Sequence, residues 1–121
     1  MNNSINTDND RLAQYLMCPI RKVISKFGDK WSLLVLYTIS ESDGGEIRFN
    51  ALRRHMTDCS QKMLSATLKN LEHSNLVNRK VYAQVPPRVE YSLTDTGRSL
   101  MPALYNLIEW AKLHYKDINA D

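Results

Sequence analysis

Apolar residues recur at helical spacing near the start of the chain and predict a first helix. Proline is tolerated at the first helical position, so Cys18-Pro19 predicts where this helix begins. Its apolar face comprises Ile20, Val23, Ile24 and Phe27. Residues 1–10 are polar and partly acidic, and we expect them to form a disordered tail before the folded domain.

A second helix is expected over residues 30–40, and Asp29 can cap its start. Its predicted buried stripe comprises Trp31, Leu34, Val35, Thr38 and Ile39. The polar and glycine-rich stretch 42–45 predicts a loop, and Ile47 to Phe49 is too short for more than an edge strand.

Two helices joined by a three-residue connection are predicted in the middle of the chain. Asn50 can cap a short helix over residues 51–56, and Ser60 can cap a longer one that runs to about Ser74. One face of the longer helix is apolar and comprises Leu64, Thr67, Leu68 and Leu71. The opposite arc is polar and comprises Gln61, Lys62, Ser65, Lys69, Glu72 and His73.

A β-hairpin and a final helix complete the chain. Residues 77–85 and 89–93 are strand-like and are separated by Pro86-Pro87, which places the hairpin tip at residues 84–88. Thr94 can cap the last helix, in which Pro102 predicts a kink. Its predicted buried stripe comprises Leu100, Leu104, Leu107, Ile108 and Ala111, whereas Met101, Tyr105 and Trp110 are expected to add apolar surface elsewhere.

This order of elements predicts an α+β fold that is mainly α, a winged helix-turn-helix. We expect a single domain over residues 11–118, with the helix-turn-helix at about 50–74 and the wing at about 77–93. The last helix, at about 94–116, carries more apolar surface than one small core can cover, which predicts a partner.

Composition narrows the classes of function. The chain has 121 residues and a net charge of +3, but the segment from Arg48 to Arg98 has nine basic and four acidic residues. Its charge of +5, against −2 for the rest, is typical of a surface that binds a polyanion. We expect a cytoplasmic protein without a membrane span, because no apolar run is long enough and two cysteines cannot form a disulfide scaffold.

Catalytic and metal-binding patterns are weak. The three histidines are far apart in the sequence, and there is no phosphate-binding glycine loop and no nucleophile next to a base. We therefore expect no metal, no cofactor and no enzyme activity.

The polar arc of the longer middle helix has residue types that hydrogen-bond to bases and phosphates, and a B-DNA major groove admits one such helix. Taken alone, the arc also fits an ordinary solvated helix face. Arg88 near the hairpin tip could enter a minor groove or contact phosphates, although the prolines could simply protect an exposed strand edge. A protein-binding winged helix remains the alternative, and a salt-sensitive gel shift would separate the two.

Over residues 12–115 the sequence resembles the HxlR-type winged helix-turn-helix transcriptional regulators. The resemblance rests on motifs that occur in the family's order: Cys18-Pro19, Gly28-Asp29-Lys30-Trp31, the run from Arg48 to Arg53, Ser60 to Leu64, Leu68 to Glu72, and Val85 to Thr94. It implies a homodimeric regulator that binds a two-fold related, double-stranded DNA operator. It also implies that residues 60–74 form the recognition helix and that the Arg88 hairpin is the wing.

On this basis we predict two sets of site residues. The DNA-binding set comprises Arg48, Asn50, Arg53, Ser60, Gln61, Lys62, Ser65, Lys69, Arg79, Lys80 and Arg88. The dimer-interface set, on the N-terminal and C-terminal helices, comprises Pro19, Ile20, Leu104, Tyr105, Ile108 and Trp110.

Cys18 matches the Cys-Pro position that several members of the family use as a thiol switch, so the resemblance implies a candidate redox sensor. At a helix start the dipole favours a thiolate, and Arg21 and Lys22 would act in the same direction. The alternative is a half-buried side chain that only packs. Cys59 occupies a position that is usually aliphatic, which predicts a buried and inert thiol.

Overall fold

The computed structural model describes residues 7–118 and contains five α-helices, one 3₁₀ turn and three strands within that range. In chain order they are α1 (Thr7–Ser25), α2 (Ser32–Ser40), the 3₁₀ turn Asp43–Gly45, β1 (Glu46–Arg48), α3 (Phe49–His55), α4 (Gln61–His73), β2 (Val77–Tyr82), β3 (Arg88–Leu93) and α5 (Asp95–Ile118). Helix, tight connection, helix and hairpin follow one another from α3 to β3, which confirms the predicted winged helix-turn-helix.

The described residues form two compact units, residues 7–30 and residues 31–118. The first contains α1, which begins at Thr7 and encloses Pro19, so the predicted start at Cys18-Pro19 is wrong. Proline fits the first turn of a helix best, but a helix interior can also contain one, at the cost of a lost hydrogen bond and a clash with the carbonyl four residues earlier. The disordered tail is wrong for residues 7–10, which are helical, and its first six residues lie outside the described range.

In the second unit, α2 is a central core helix. Val35, Leu36 and Ile39 are completely buried. The predicted stripe is wrong at Leu34, which is exposed, and it omitted Leu36. Six of the nine residues of α2 are apolar and they are spread around the helix, so the sequence contains little polar contrast from which its buried face could be assigned. Asp29 is not its cap either, since Trp31 occupies the N-cap position.

The sequence around α4 determines where this helix begins and which of its faces is buried. Ser60 caps α4, because its Oγ accepts the Met63 N–H at 3.1 Å. The predicted buried face of α4 is confirmed by Leu64, Thr67, Leu68 and Leu71. The predicted cap of α3 is wrong, since Arg48 holds the N-cap position and Asn50 lies inside the helix.

The three strands form one antiparallel sheet in the order β1-β3-β2, so β1 is an edge strand as predicted. Ile47 pairs with Tyr91, and Leu93 pairs with Val77. All four are buried and share one face, because alternate residues of a strand point to the same side. The sheet therefore packs on the helices with one face.

Thr94 connects the hairpin to α5. Its Oγ1 accepts the Gly97 N–H at 2.9 Å, which confirms the predicted cap, and donates to the carbonyl of Asn75 at 2.7 Å. A Cβ on Gly97 would lie 2.3 Å from the Leu76 carbonyl oxygen, so a larger residue does not fit there. The end of α4, the hairpin and the start of α5 are thereby joined at one point.

The first half of α5 faces the core and the second half does not. Met101 and Leu104 are buried, and the helix continues through Pro102. The predicted stripe is wrong in its second half, because Leu107 and Ala111 are exposed and Ile108 is only half-buried. The residues of α5 that are buried, Gly97, Met101 and Leu104, all lie in its first half, and the apolar residues beyond them are exposed or half-buried. No helix in the described residues is long and apolar enough to cross a membrane.

Candidate nucleic-acid interface

A groove of about 420 Å³ lies where the start of α4 meets the hairpin. It brings together residues from four elements that are separate in the sequence. Six of the eleven residues predicted to bind DNA line it: Arg48, Asn50, Gln61, Ser65, Arg79 and Arg88. We call this feature the groove. Basic and amide side chains from β1, α3, α4 and the hairpin thus converge at one place.

The polar face of α4 borders the groove. All six residues predicted for this face, Gln61, Lys62, Ser65, Lys69, Glu72 and His73, are exposed. Residues three or four positions apart lie on one side of a helix, so Gln61, Ser65 and Lys69 form a row along the axis. This face has the dimensions and residue types to enter a major groove.

The hairpin presents its cations differently from the prediction. Arg88 is only 28% exposed, and its Nε lies 3.0 Å from Oε2 of Glu90. The N–H does not point at that oxygen, so the contact is an ion pair rather than an aligned hydrogen bond. The guanidinium carbon also lies 4.0 Å from the centre of the Tyr82 ring. Arg88 therefore lies folded against the hairpin rather than projecting from its tip.

The tip itself is uncharged. Residues 83–87 are exposed, and Val85 is completely so. The stiff segment predicted to present a cation therefore presents apolar and amide groups, and the charge lies at its base.

Glu90 is a site residue that does not belong to either predicted set. Arg48 of β1 lies 3.7 Å from the same carboxylate oxygen that contacts Arg88. Lys80 of β2 is its partner in the strand register, and the Lys80 ammonium lies 4.9 Å from the Tyr82 ring centre. The sequence contained a signal for the contact between Arg88 and Glu90, because residues two apart in a strand have side chains on the same face of the sheet.

Arg79 belongs to the opposite face of the sheet from Lys80. It pairs with Tyr91 in the register and lines the groove beside Gln61 and Ser65. The two neighbouring cations that the sequence assigned to one strand thus act on different sides of it.

The remaining residues of the predicted DNA-binding set lie outside the groove. Arg53 is exposed on α3 and lines a second depression of about 550 Å³ with Asn50. Lys62, Lys69 and Lys80 are exposed beyond the groove. The Oγ of Ser60 is engaged with Met63 as the cap of α4.

The predicted dimer-interface residues separate into three groups. Leu104 is buried inside the chain, and Tyr105 is half-buried with its hydroxyl 2.8 Å from Ser40 Oγ and 3.0 Å from Glu41 Oε2. The prediction is wrong for Leu104, since a side chain packed in the core is not available to a partner. Ile108 and Trp110 lie on the outward half of α5, and Trp110 is 48% exposed. Pro19 and Ile20 are exposed on α1.

Both cysteines have a defined environment. Cys18 is exposed inside α1, eleven residues after its start at Thr7. The expected activation by a helix start is therefore wrong, because that effect falls off within the first turn. Cys59 is buried, as predicted. Within the described residues there is no group of three or more histidine, cysteine, aspartate or glutamate side chains suited to a metal ion.

Comparisons with known proteins agree with this geometry. The profile of the HxlR-like helix-turn-helix family matches residues 26–119. A helix-turn-helix transcriptional regulator from Methanothermobacter thermautotrophicus is 43% identical over 98 residues, which cover 81% of this chain and 72% of that protein. These relatives are transcriptional regulators, not enzymes.

Solved structures show the same fold. The redox regulator HypR in its reduced form superposes with a TM-score of 0.76 and 36% identity, over 85% of this chain and 99% of HypR. The reduced regulator YodB from Bacillus subtilis superposes with a TM-score of 0.67 and 29% identity, over 77% of this chain and 88% of YodB. The chain therefore belongs to the HxlR-like helix-turn-helix family of transcriptional regulators.

Proposed function

We propose that this regulator acts as a homodimer that binds a two-fold related double-stranded DNA operator, with α4 in the major groove and the hairpin beside it. The observation that carries the proposal is the groove, where the predicted DNA-binding residues of β1, α3, α4 and the hairpin converge next to the exposed polar face of α4. A solvated helix face alone would not require basic residues from three other elements at its end.

The contacts divide into two kinds. Gln61, Ser65 and Lys69 form the row along α4 that would meet base edges. The cationic side chains would contact phosphates, which fix the position of the protein on the duplex. The phosphate set comprises Arg48, Arg53, Lys62, Arg79, Lys80 and Arg88. Asn50 and Ser60 lie close to the start of α4 and would support the same contacts.

Selection from a pool of randomised duplexes tests this proposal and requires no choice of operator beforehand. We expect the protein to enrich one two-fold related sequence, which we call the selected duplex. A scrambled duplex of the same composition should bind at least about a thousandfold more weakly at physiological salt. Enrichment of no sequence, with equal and weak binding of all duplexes, would contradict sequence-specific DNA binding.

We propose that the dimer forms through exposed apolar residues of α1 and the outward half of α5. On α5 these are Leu107, Trp110, Leu113 and Ile118, and on α1 they include Ile20, Val23 and Ile24. Apolar side chains repeated along a helix without a core to cover them are typical of an interface. A two-fold dimer would place two copies of α4 about 34 Å apart, in successive major grooves.

Sedimentation of the protein at micromolar concentration tests the dimer. The parent should sediment as a dimer, and the double variant Trp110→Asp, Leu113→Asp should sediment as a folded monomer, because it places charge in the interface. Glu109→Gln on the same helix is the control and should remain dimeric. A monomeric parent would contradict the proposal.

A redox response through Cys18 is a second proposal. The proposal is supported by the exposed thiol on α1 and by the similarity of the chain to the redox regulator HypR. Titration with the thiol oxidant diamide in the presence of glutathione, followed by binding to the selected duplex, tests it. Diamide takes one hydrogen from the Cys18 thiol and one from glutathione, which leaves Cys18 in a mixed disulfide. Parent protein should lose binding on oxidation while Cys18→Ser does not. An identical response of the two proteins would assign Cys18 a packing role only.

A further inference from the structure

The carboxylate of Glu90 lies between arginines of two different strands. Oε2 is 3.0 Å from Nε of Arg88 on β3 and 3.7 Å from Nε of Arg48 on β1. The Glu90 side chain is only 14% exposed, so it lies beneath these cations rather than in solvent. One carboxylate thus connects the edge strand to the hairpin.

Tyr82 supplies a second constraint on Arg88. The two residues are partners in the β2-β3 register, and the guanidinium lies 4.0 Å from the ring centre. An arginine over an aromatic ring is held by a cation–π attraction. Because the ring and the carboxylate both contact it, Arg88 has already lost much of its rotamer freedom before any ligand binds.

Ordering a long side chain opposes binding, and an arginine that is already ordered avoids that cost. Phosphate contacts fix the register of a protein on a duplex although they do not identify bases. Arg48 is 60% exposed and contacts the same carboxylate at 3.7 Å, so Glu90 draws it towards Arg88 but restrains it less. A guanidinium held in one orientation matches the phosphates of one docking geometry better than those of others, and therefore favours the duplex on which α4 is correctly placed.

We propose that Glu90 is a positioning residue of the DNA-binding surface, which orients Arg88 and Arg48 so that they meet the phosphates of a correctly docked duplex. The proposal rests on the DNA-binding function proposed above. It assigns to a negatively charged residue a favourable contribution to the binding of a polyanion.

The direction of the affinity change in Glu90→Gln distinguishes a positioning role from a simple effect of charge. If Glu90 acted only as a negative charge, Glu90→Gln would strengthen binding to every duplex, because repulsion of phosphates is removed. Under positioning, Glu90→Gln weakens binding to the selected duplex about tenfold, equivalent to the ~1.4 kcal/mol of one fixed contact. Binding to the scrambled duplex is unchanged or stronger.

The experiment measures both affinities for parent, Glu90→Gln and Glu90→Asp at the same salt concentration. Glu90→Asp keeps the charge but withdraws the carboxylate by one methylene, so positioning predicts a reduced ratio of selected to scrambled affinity for this variant too. A charge-only role predicts parental behaviour. Glu109→Gln is the matched control, since it removes a carboxylate from an exposed ion pair with Lys112 on α5. Its affinity ratio should equal that of the parent.

A double-mutant cycle shows whether Glu90 acts through Arg88. In an Arg88→Gln background, Glu90→Gln should reduce the affinity for the selected duplex by much less than in the parent, because one of its two targets is gone. Equal effects in the two backgrounds would overturn the proposal.

Four further outcomes would also overturn it. Parallel strengthening of both duplexes would show a charge effect, and parallel weakening with a lowered melting temperature would show a purely structural role. An unchanged ratio in Glu90→Gln would refute the positioning role while sequence-specific binding by the parent stands. Failure of the parent to select any duplex would refute both proposals.

Discussion

The polar face of α4 presents basic residues beside the groove and the hairpin presents them within it, and the two surfaces do so in different ways. On α4, Lys62 and Lys69 are exposed on a helix whose opposite face is buried in the core. On the hairpin, Arg88 lies against Glu90 and Tyr82. The first surface is open and its side chains can adapt to base edges, whereas the second is ordered before DNA binds.

The number of charged residues in a segment therefore does not give the charge that the folded segment exposes to a ligand. A helix whose apolar face is buried must expose its polar face, so the cations of α4 follow from its periodicity. A strand residue faces whichever neighbours the register supplies, and those neighbours come from elsewhere in the chain. We therefore expect α4 to determine which sequence is bound and the hairpin to determine how firmly it is bound.

The largest effect should follow from changes on α4. The double variant Ser65→Ala, Lys69→Ala removes two side chains of the row that faces the bases, and each such contact is worth about 1–3 kcal/mol. Affinity for the selected duplex should fall about a hundredfold in an electrophoretic mobility assay. Both residues are exposed, so the melting temperature should stay within experimental error. Lys116→Ala on α5 is the control, and equal losses in the two proteins would contradict a reading role for α4.

An intermediate effect should follow from Arg88→Ala. Loss of this contact should weaken binding to the selected duplex by about tenfold and to the scrambled duplex by less, because an ordered guanidinium fits the phosphates of a correctly docked duplex better. It should also reduce the slope of log affinity against log salt by about one. Arg88→Lys should not restore full affinity, because an ammonium lacks the planar group that stacks on Tyr82. An unchanged affinity and slope in Arg88→Ala would show that the hairpin does not engage DNA.

The smallest effect should follow from a change at the hairpin tip. Val85 is completely exposed and uncharged, so Val85→Ser should change affinity for the selected duplex by less than about twofold. This variant tests whether the hairpin contacts DNA through its tip or through the charged strand residues next to the tip. A tenfold loss would place the tip inside a groove of the duplex and contradict binding through those charged residues alone.

The sequence predicted α4 almost completely, and the reason is physical. Ser60 has a side chain that satisfies a free N–H of the first turn, and the apolar residues of α4 alternate clearly with polar ones. The hairpin was also predicted from local sequence, because Pro86-Pro87 separates two strand-like runs. Local sequence signals are sufficient to predict an element when they mark its start and its end and distinguish its polar face from its apolar face.

Prediction failed where those signals were ambiguous or depended on distant residues. In α2 the apolar residues are spread around the helix, and in α5 they continue past the point where the core ends. Pro19 is compatible with both the first turn and the interior of a helix, so the prediction placed the start of α1 too late in the sequence. The contacts of Arg88 with Tyr82 and of Arg48 with Glu90 depend on the strand register, which local sequence patterns do not reveal.

The most direct test of α4 as the reading element is to repeat the duplex selection with two variants. The Ser65→Ala, Lys69→Ala protein should enrich a different or degenerate sequence, because base contacts are lost. The Arg88→Ala protein should enrich the parental sequence with lower affinity, because only a phosphate contact is lost. Enrichment of the parental sequence by the α4 variant, together with an altered sequence for Arg88→Ala, would contradict the reading role of α4.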